Sequence, residues 1–215
     1  MNKKVDCIVV TYNRLSLLKE CLVALLDQEY SLNKIYVINN NSTDETKEYL
    51  KHFSEKHSVV KTVNLRKNIG GAGGFNAGLK YFMKNSDADY AWIMDDDTIP
   101  SKTALKSMME KIPLVTKLGF LCSNVKWRDN SVAKMNIPRT EEDWNEIIDK
   151  GLVKVKSASF VSILFPREVI KEVGYPITDF FIWGDDVEFT SRITKLGFEG
   201  YLSNDSIVEH KIKSN

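Results

Sequence analysis

The chain has 215 residues, of which 43% are hydrophobic and 27% charged, and its 30 lysines and arginines nearly balance its 29 aspartates and glutamates. This composition is that of one ordinary globular domain, and it excludes a disordered or fibrous protein. The formal net charge of +1 gives no electrostatic reason to expect nucleic acid as a partner.

Three cysteines, Cys7, Cys21 and Cys122, are spread along the chain without any Cys-x-x-Cys pair. The first two lie in apolar patterns, so we expect buried thiols rather than disulfides or a zinc site, which favours a reducing cytoplasm. No stretch approaches 18 consecutive apolar residues, so the sequence predicts no transmembrane segment.

In the first 125 residues, short apolar runs alternate with amphipathic stretches, which is the pattern of repeated βαβ units. The runs predict strands over residues 5–10, 34–38, 59–64, 90–94 and 119–125. Helices are predicted over residues 15–28, 42–57, 72–84 and 101–112. A capping box at residues 42–45 and an N-cap at Ser101 mark the starts of two of them. The sequence therefore predicts an α/β sandwich with a mostly parallel sheet.

The pattern of the second half is less regular. Residues 130–151 are polar and predict an excursion with one helix, and a strand-rich stretch (153–165) and a short helix (166–173) follow. An acidic helix is predicted from Gly184 to Gly197, with strands over 199–202 and 207–210 after it. No repeat or linker separates the halves, so we expect one domain whose two halves share a sheet.

Three consecutive aspartates, Asp95, Asp96 and Asp97, follow the apolar strand predicted over residues 90–94. Ligands of open α/β sheets bind at the carboxyl ends of the strands, which is where these carboxylates fall. In extended backbone Asp95 and Asp97 point one way and Asp96 the other. Two convergent carboxylates suit Mg²⁺ or Mn²⁺. The alternative is an acidic loop that caps the next helix, a role that Ser101 already fills.

A glycine-rich segment at residues 68–78 holds five of the eleven glycines. Glycine at this density lets the backbone approach a ligand, and amides at a helix N-terminus favour anions. The segment is not a dinucleotide fingerprint, because Asn76 stands where the third glycine belongs, and it lacks the Gly-Lys-Ser/Thr of a P-loop. The alternative is tight packing of a helix on a strand.

Two further groups in the second half carry chemistry. Asp185 and Asp186 follow Trp183 at a predicted helix start, and paired carboxylates beside apolar residues favour general-base chemistry. Acidic residues in a first turn also complement the helix dipole, so that alternative stays open. His210 ends a late strand, where a lone histidine is more often structural than a ligand.

Five segments in one order resemble the inverting glycosyltransferases of family 2, which have the GT-A fold. They are residues 8–14, 37–44, 68–75, 95–97 and 184–189 with Arg192. The glycine-rich segment and the run Trp183-Gly184-Asp185-Asp186 are most similar to galactofuranosyltransferases, with rhamnosyltransferases next. The resemblance implies a three-layer sandwich around a nucleotide-binding sheet. It also implies a single domain over 1–215, with a donor half (1–97) and an acceptor half (98–215).

The resemblance also implies roles for individual residues. The nucleotide-sugar donor would be bound by Thr11, Asn13, Arg14, Asn40, Asn68, Gly70, Gly71 and Asp96. Mn²⁺ or Mg²⁺ would be bound by Asp95, Asp97 and His210. Asp186 would be the catalytic base, with Trp183 and Asp185 beside the acceptor. Family members often read uracil with an aspartate where this chain has Asn39 and Asn40, so UDP-sugars are favoured and thymidine-type donors stay open.

The activity implied is transfer of a sugar, with galactofuranose as the first expectation, to a glycan or lipid-linked saccharide in cell-surface polysaccharide synthesis. The location implied is the cytoplasm or the inner face of its membrane. Family members usually continue with helices past the histidine, so the chain is either C-terminally truncated or minimal. The alternatives are a rhamnosyltransferase that uses a dTDP-sugar, a nucleotidyltransferase and a non-catalytic nucleotide-sugar-binding module. The oligomeric state is not implied.

Overall fold

A computed structural model of the chain describes residues 3–211. Its strands are β1 (Val5–Thr11), β2 (Lys34–Asn39), β3 (Val60–Asn64), β4 (Tyr90–Asp95), β5 (Thr98–Pro100), β6 (Leu118–Lys126), β7 (Arg139–Thr140), β8 (Leu152–Ser157), β9 (Ile163–Pro166) and β10 (Glu199–His210). Its α-helices are α1 (Leu15–Leu26), α2 (Thr46–Lys56), α3 (Gly70–Asn85), α4 (Ala104–Lys111), α5 (Arg167–Val173) and α6 (Asp185–Lys195).

The strands form one sheet in the order β3-β2-β1-β4-β9-β6-β10-β8-β7, with β5 paired to β10. Its two faces are covered by different helices. Cys7 of β1 packs in a cluster with buried residues of α1, α2 and α4, whereas Ile8 packs with residues of α3, α5 and α6. Because both faces are covered, β1 is buried at every residue, and its apolar residues do not alternate with exposed ones. The predicted three-layer α/β sandwich is confirmed.

The direction of the strands differs between the two halves. β3, β2, β1 and β4 pair in parallel, as predicted. β9 then lies antiparallel between β4 and β6, and β10 is parallel to β6 but antiparallel to β8 and β5. The sheet as a whole is therefore mixed. β10 is continuous where two strands were predicted, and a register shift between Ser203 and Ile207 marks the break.

Both predicted N-caps are wrong. α2 begins at Thr46, and Ser42 Oγ instead accepts a hydrogen bond from the Asn13 amide at 3.1 Å. α4 begins at Ala104, whose amide donates to the Ser101 carbonyl, and Ser101 Oγ is buried without a hydrogen-bond partner among the described residues. Ser42 thus joins two loops, and Ser101 stays within one. Sequence spacing alone does not distinguish these roles from helix capping.

The predicted helix in residues 130–151 is also wrong. The described chain there forms two 3₁₀ turns, Lys134–Asn136 and Ile148–Lys150, around the two-residue strand β7. Contacts with β8 compete with helix formation, because the Lys154 amide donates to the Trp144 carbonyl and Lys154 Nζ pairs with Asp143. Tertiary pairing thus overrides the local helix propensity of this stretch.

The three cysteines are buried and free, which confirms the buried thiols predicted at Cys7 and Cys21. Cys7 lies on β1, Cys21 on α1 and Cys122 on β6. Within residues 3–211, no helix is both long and apolar enough to cross a lipid bilayer.

Candidate active site

Two adjoining cavities open where the carboxyl ends of β1, β2 and β4 meet the first turn of α3 and the segment before α6. The smaller has a volume of about 180 Å³, and the larger has a volume of about 390 Å³. Arg14, Gly71, Asp95 and Ile182 line both cavities, so these residues form the boundary between them. The site lies where open α/β sheets bind their ligands.

The smaller cavity brings together seven of the eight residues assigned to the donor: Thr11, Arg14, Asn40, Asn68, Gly70, Gly71 and Asp96. The eighth, Asn13, is not among its lining residues. Asn13 has a φ of 53° and joins two loops, because its Oδ1 accepts a hydrogen bond from the Thr43 amide at 2.7 Å. The structure therefore places Asn13 in support of the cavity rather than at its surface.

Asn40 fixes the glycine-rich turn. Its Nδ2 donates to Asn68 Oδ1 and to the Gly70 carbonyl, both at 2.9 Å, and its Oδ1 accepts from the Ile69 amide at 3.0 Å. Asn68 Oδ1 also accepts from the Gly70 amide. This buried network sets the path of the backbone that enters α3, which starts two residues earlier than predicted.

The glycines of α3 divide into two groups by what surrounds them. A Cβ on Gly74 would lie 2.5 Å from the Val10 side chain, and one on Gly78 would lie 2.5 Å from Ile8, so both allow α3 to pack closely on β1. Gly70 and Gly71 instead line the smaller cavity. The packing alternative thus holds for the end of the glycine-rich segment, and its start borders the site.

The aspartate triplet sits at a turn rather than in an extended strand, since β4 ends at Asp95. The Thr11 hydroxyl donates to Asp96 Oδ2 at 2.6 Å. Arg14 Nη1 lies 2.6 Å from Asp97 Oδ2 and 3.5 Å from Asp96 Oδ1. Asp95 and Asp97 line the larger cavity and Asp96 does not. The expected division of the three side chains is therefore found, although a turn produces it.

The three carboxyl groups differ in their pKa values. Burial, followed by the charges of Asp97 and Asp96, raises the pKa of Asp95 well above its usual value. Burial raises the pKa of Asp96 to about 7 against the opposing effects of Thr11 and Arg14. Burial also opposes ionisation of Asp97, but His210 and Arg14 outweigh it and lower the pKa of Asp97. Asp97 is thus the member of the triplet that is held as a carboxylate.

His210 joins Asp97 across the larger cavity. Its Nε2 lies 3.3 Å from Asp97 Oδ1, and its Nδ1 lies 2.9 Å from Asn136 Oδ1. The Trp127 ring stacks on the imidazole with a centroid distance of 5.6 Å and an interplanar angle of 14°. Sequence reasoning missed Asn136, which lies in the polar excursion over 130–151, and Trp127, which lies just before it, because neither is part of a recognisable motif.

Asp185 and Asp186 line the opposite side of the same cavity, in the first turn of α6. Burial, then the charge of Asp186, raises the pKa of Asp185 to about 6. Burial also raises the pKa of Asp186, against hydrogen bonds from backbone amides such as that of Val187, at 2.7 Å from Oδ1. The preceding Trp183 has a φ of 66° and is 80% exposed. Asp185 and Asp186, whose pKa values are both raised, therefore line the same cavity as Asp95, Asp97 and His210, the expected metal ligands.

The sequence of this chain matches a family model over residues 6–174, which is more than half of its length. That model is "Glycosyl transferase family 2". The chain belongs to glycosyl transferase family 2.

The curated relatives of this family 2 chain include the poly-beta-1,6-N-acetyl-D-glucosamine synthase of Staphylococcus epidermidis, 29% identical over 81% of the chain and 42% of the relative. Galactofuranosyltransferase GlfT1 of Mycolicibacterium smegmatis is 26% identical over 90% of the chain and 66% of the relative. The chain thus spans about two fifths of the synthase and just under two thirds of GlfT1.

Solved structures share the fold at low sequence identity. GalNAc-T7, solved with UDP, GalNAc and Mn²⁺, has a TM-score of 0.82 at 14% identity, over 99% of this chain and 44% of that one. The mannosyltransferase PcManGT of Pyrobaculum calidifontis, solved with GDP-Man and Mn²⁺, has a TM-score of 0.74 at 20% identity, over 100% and 59%. S. aureus TarS has a TM-score of 0.75 at 19% identity, over 97% of this chain and 37% of that one. The fold of this family 2 chain is GT-A.

The residues of the site suit a divalent cation in type. Within residues 3–211, no three His, Cys, Asp or Glu side chains stand close enough together to be recognised as a metal site. Asp97 and His210 are nevertheless in contact, and Asp97 Oδ1 is buried without a hydrogen-bond partner in the described chain. A carboxylate oxygen that lacks a donor, beside an imidazole nitrogen, is the type of ligand pair that Mn²⁺ accepts.

Proposed function

We propose that this family 2 chain is an inverting, metal-dependent glycosyltransferase that moves a sugar from a nucleoside-diphosphate donor to an acceptor hydroxyl. The observation that carries the proposal is the meeting of the two cavities at Asp95. The donor-type residues lie on one side of it, and Asp186 lies on the other. Family membership supports the proposal, as do two GT-A structures that were solved with a nucleotide or nucleotide sugar and Mn²⁺.

The cation would be bound by Asp95, Asp97 and His210, with Mn²⁺ or Mg²⁺ as the ion. When bound, it supplies a Lewis acid that neutralises charge on the diphosphate leaving group. Arg14, which contacts Asp97 and borders both cavities, adds a fixed positive charge beside the same group. Gly70 and Gly71 line the smaller cavity at the positive end of the α3 dipole, which favours the anionic part of the donor.

Asp186 accepts the proton of the acceptor hydroxyl while the oxygen attacks the anomeric carbon and the bond to the diphosphate breaks. One displacement inverts the configuration at that carbon, so no covalent nucleophile on the protein is needed. Asp185 and the exposed Trp183 ring would hold the acceptor, since both line the cavity with Asp186. An indole face packs well against the apolar face of a sugar ring.

The donor we favour is UDP-galactofuranose, supported by the 26% identity with GlfT1. Asn39 leaves the base open, because its Nδ2 donates to Asn64 Oδ1 and its Oδ1 accepts from the Ser42 amide. UDP is therefore favoured only by resemblance. The second candidate is transfer of N-acetylglucosamine, favoured by the 29% identity with the staphylococcal synthase. The dTDP-rhamnose alternative is third.

The acceptor is proposed to be a glycan or a lipid-linked saccharide in cell-surface polysaccharide synthesis. Four consecutive apolar residues, 180–183, are exposed beside the larger cavity, which supports a peripheral position at the inner face of the cytoplasmic membrane. Residues 1–97 would form the donor half and 98–215 the acceptor half of one domain. This division is supported by the donor-type residues, since all eight belong to the first half and seven of them line the smaller cavity.

The test is a thermal-shift panel of UDP-, dTDP- and GDP-sugars, each with Mn²⁺ and then with EDTA, followed by product analysis with the sugar that stabilises most. We expect stabilisation that needs the metal, with release of nucleoside diphosphate and an inverted product. Release of pyrophosphate would instead identify a nucleotidyltransferase. Binding without turnover on any saccharide acceptor would identify a binding module.

A further inference from the structure

The two ring nitrogens of His210 have different neighbours. Nδ1 lies 2.9 Å from Asn136 Oδ1, and Nε2 lies 3.3 Å from Asp97 Oδ1. The side chains of His210 and Asp97 are 5% and 3% exposed, so little water reaches the gap between them. Which nitrogen carries the hydrogen therefore decides what the ring presents to Asp97.

The orientation of the Asn136 amide bears on this question. In the structure, Asn136 Oδ1 faces the ring and Nδ2 lies 3.0 Å from Ser159 Oγ. A carbonyl oxygen can only accept a hydrogen bond, so in this orientation Nδ1 of His210 is the donor. In the protonated ring Nε2–H faces Asp97 Oδ1 and lowers the pKa of Asp97, whereas Nε2 of the neutral ring directs its lone pair towards that oxygen.

A ring nitrogen and a carboxylate oxygen that both present lone pairs do not stabilise each other, but both are ligands for a divalent cation. We propose that Asn136 is a positioning residue that holds His210 in its Nδ1–H form, so that Nε2 is free to ligate the cation bound by Asp97. The proposal rests on the metal site of the proposed function and adds a residue that acts through His210. Histidine ligands commonly donate their other ring hydrogen in this way.

Trp127 completes the support of the ring. Its stacking on His210, with the planes 14° apart, opposes rotation of the imidazole away from Asn136 and Asp97. Trp127 and Asn136 lie at the two ends of one loop, whose start is fixed by a hydrogen bond from the Trp127 amide to the Ser131 carbonyl. The loop between β6 and β7 therefore sets both the tautomer and the plane of the ring.

The first arm of the test reads the tautomer directly, on the ¹⁵N-labelled, metal-free chain of 215 residues. Long-range ¹H–¹⁵N correlations of the neutral ring, assigned with His210→Gln, should show the hydrogen on Nδ1. Asn136→Leu removes the acceptor at nearly constant volume, and the hydrogen should move to Nε2, where Asp97 accepts it. Asn136→Asp restores an acceptor and should restore the Nδ1–H form. Ser159→Ala leaves Asn136 free to turn and should give a mixture.

The second arm measures Mn²⁺ affinity without any nucleotide, from the free Mn²⁺ signal in electron paramagnetic resonance. Asn136→Leu should bind Mn²⁺ about 10–100-fold more weakly, as is usual when a ligand loses its supporting partner. Asn136→Asp should stay within a few-fold of wild type. The matched control is Asn85→Leu, at the distant end of α3, which should change neither readout.

An Nε2–H ring in the wild type, or a tautomer that is unchanged in Asn136→Leu, overturns the proposal. Unchanged Mn²⁺ affinity in Asn136→Leu overturns it as well. If Asn136→Leu does not fold, Ser159→Ala and Asn136→Asp decide the same question. Failure of the wild type to bind Mn²⁺ would instead remove the metal site from the proposed function, and the tautomer arm would still decide what Asn136 does.

Discussion

The two halves of the chain bring residues to the site by different means. In the first half, Thr11 and Asp95 are the last residues of parallel strands, and their positions follow from the sheet itself. In the second half, Asn136 comes from a 3₁₀ turn, Asp186 from a helix start and His210 from the end of a strand with a register shift. Regular βαβ structure thus positions the proposed donor side, whereas contacts distant in sequence position the proposed acceptor side.

The largest effect is expected on the acceptor side, at Asp186. Asp186→Asn keeps the shape of the side chain and removes its basicity, and positioned bases contribute about 10²–10⁴-fold in rate. Transfer should therefore fall by that factor, while the donor and metal dissociation constants stay nearly unchanged. The measurement is kcat for sugar transfer, beside equilibrium titration of donor and Mn²⁺.

Asp185→Asn, at the neighbour proposed to hold the acceptor, should raise KM for the acceptor and lower kcat less than Asp186→Asn does. In the wild type, kcat should fall as the pH drops through the pKa of Asp186, and burial places this midpoint above the usual 3.8 of an aspartate. Full activity of Asp186→Asn would move the base elsewhere, with Asp185 and Glu188 as the next candidates. A near-UV circular dichroism spectrum shows whether the variant is folded.

The next largest effect separates two neighbours in the triplet. Asp97→Asn removes a carboxylate that faces the larger cavity and contacts His210, so Mn²⁺ affinity should fall by more than about 100-fold, because a direct ligand exceeds a supporting residue in effect. Asp96→Asn alters a side chain that accepts from Thr11, and Mn²⁺ affinity should change only a few-fold. Isothermal titration with Mn²⁺ compares the two. Equal losses in both variants would contradict the assignment.

A third prediction concerns the close approach of Gly70, in the first half, to Phe181, in the second half. Gly70 has a φ of 76°, and a Cβ there would lie 2.0 Å from the Phe181 carbonyl oxygen. Gly70→Ala should destabilise the fold by at least about 1–2 kcal/mol from the left-handed backbone alone. Gly71→Ala, where no atom lies within 4 Å of the added Cβ, should be neutral or stabilising by up to about 1 kcal/mol. Urea unfolding of both variants measures the difference.

The smallest effect is a pH dependence of stability at Asp185. Its pKa is raised from 3.8 to about 6, so the folded state favours the protonated form. The stability from this preference is complete below about pH 4 and is lost as the pH rises through about 6. Asp185→Asn, which imitates the protonated form, should therefore raise Tm above pH 7 and leave it unchanged below pH 4. A Tm difference that does not vary with pH would falsify this linkage.

Most of the first half was predictable from the sequence, because the spacing of its apolar residues and the length of its apolar runs distinguish strands from helices there. The aspartate triplet, the glycine-rich turn and the layers of the sandwich were all placed correctly. The start of α4 was predicted wrongly. Ser101 is a residue type that commonly caps helices, but α4 begins at Ala104 and Thr103 occupies the N-cap position. Asn136 was not predictable either, because its role depends on His210, which lies 74 residues away.

The rate at which the three buried cysteines are alkylated would report how often the fold opens around each of them. Burial raises the pKa values of the Cys7 and Cys21 thiols well above the usual range and that of Cys122 to about 12, so few thiolates are available to react in the closed state. Alkylation must therefore wait for the surrounding structure to open. Cys7 and Cys122 lie on strands from opposite halves of the sheet, so mass spectrometry of the two labelled peptides over time would show whether the halves open together or separately.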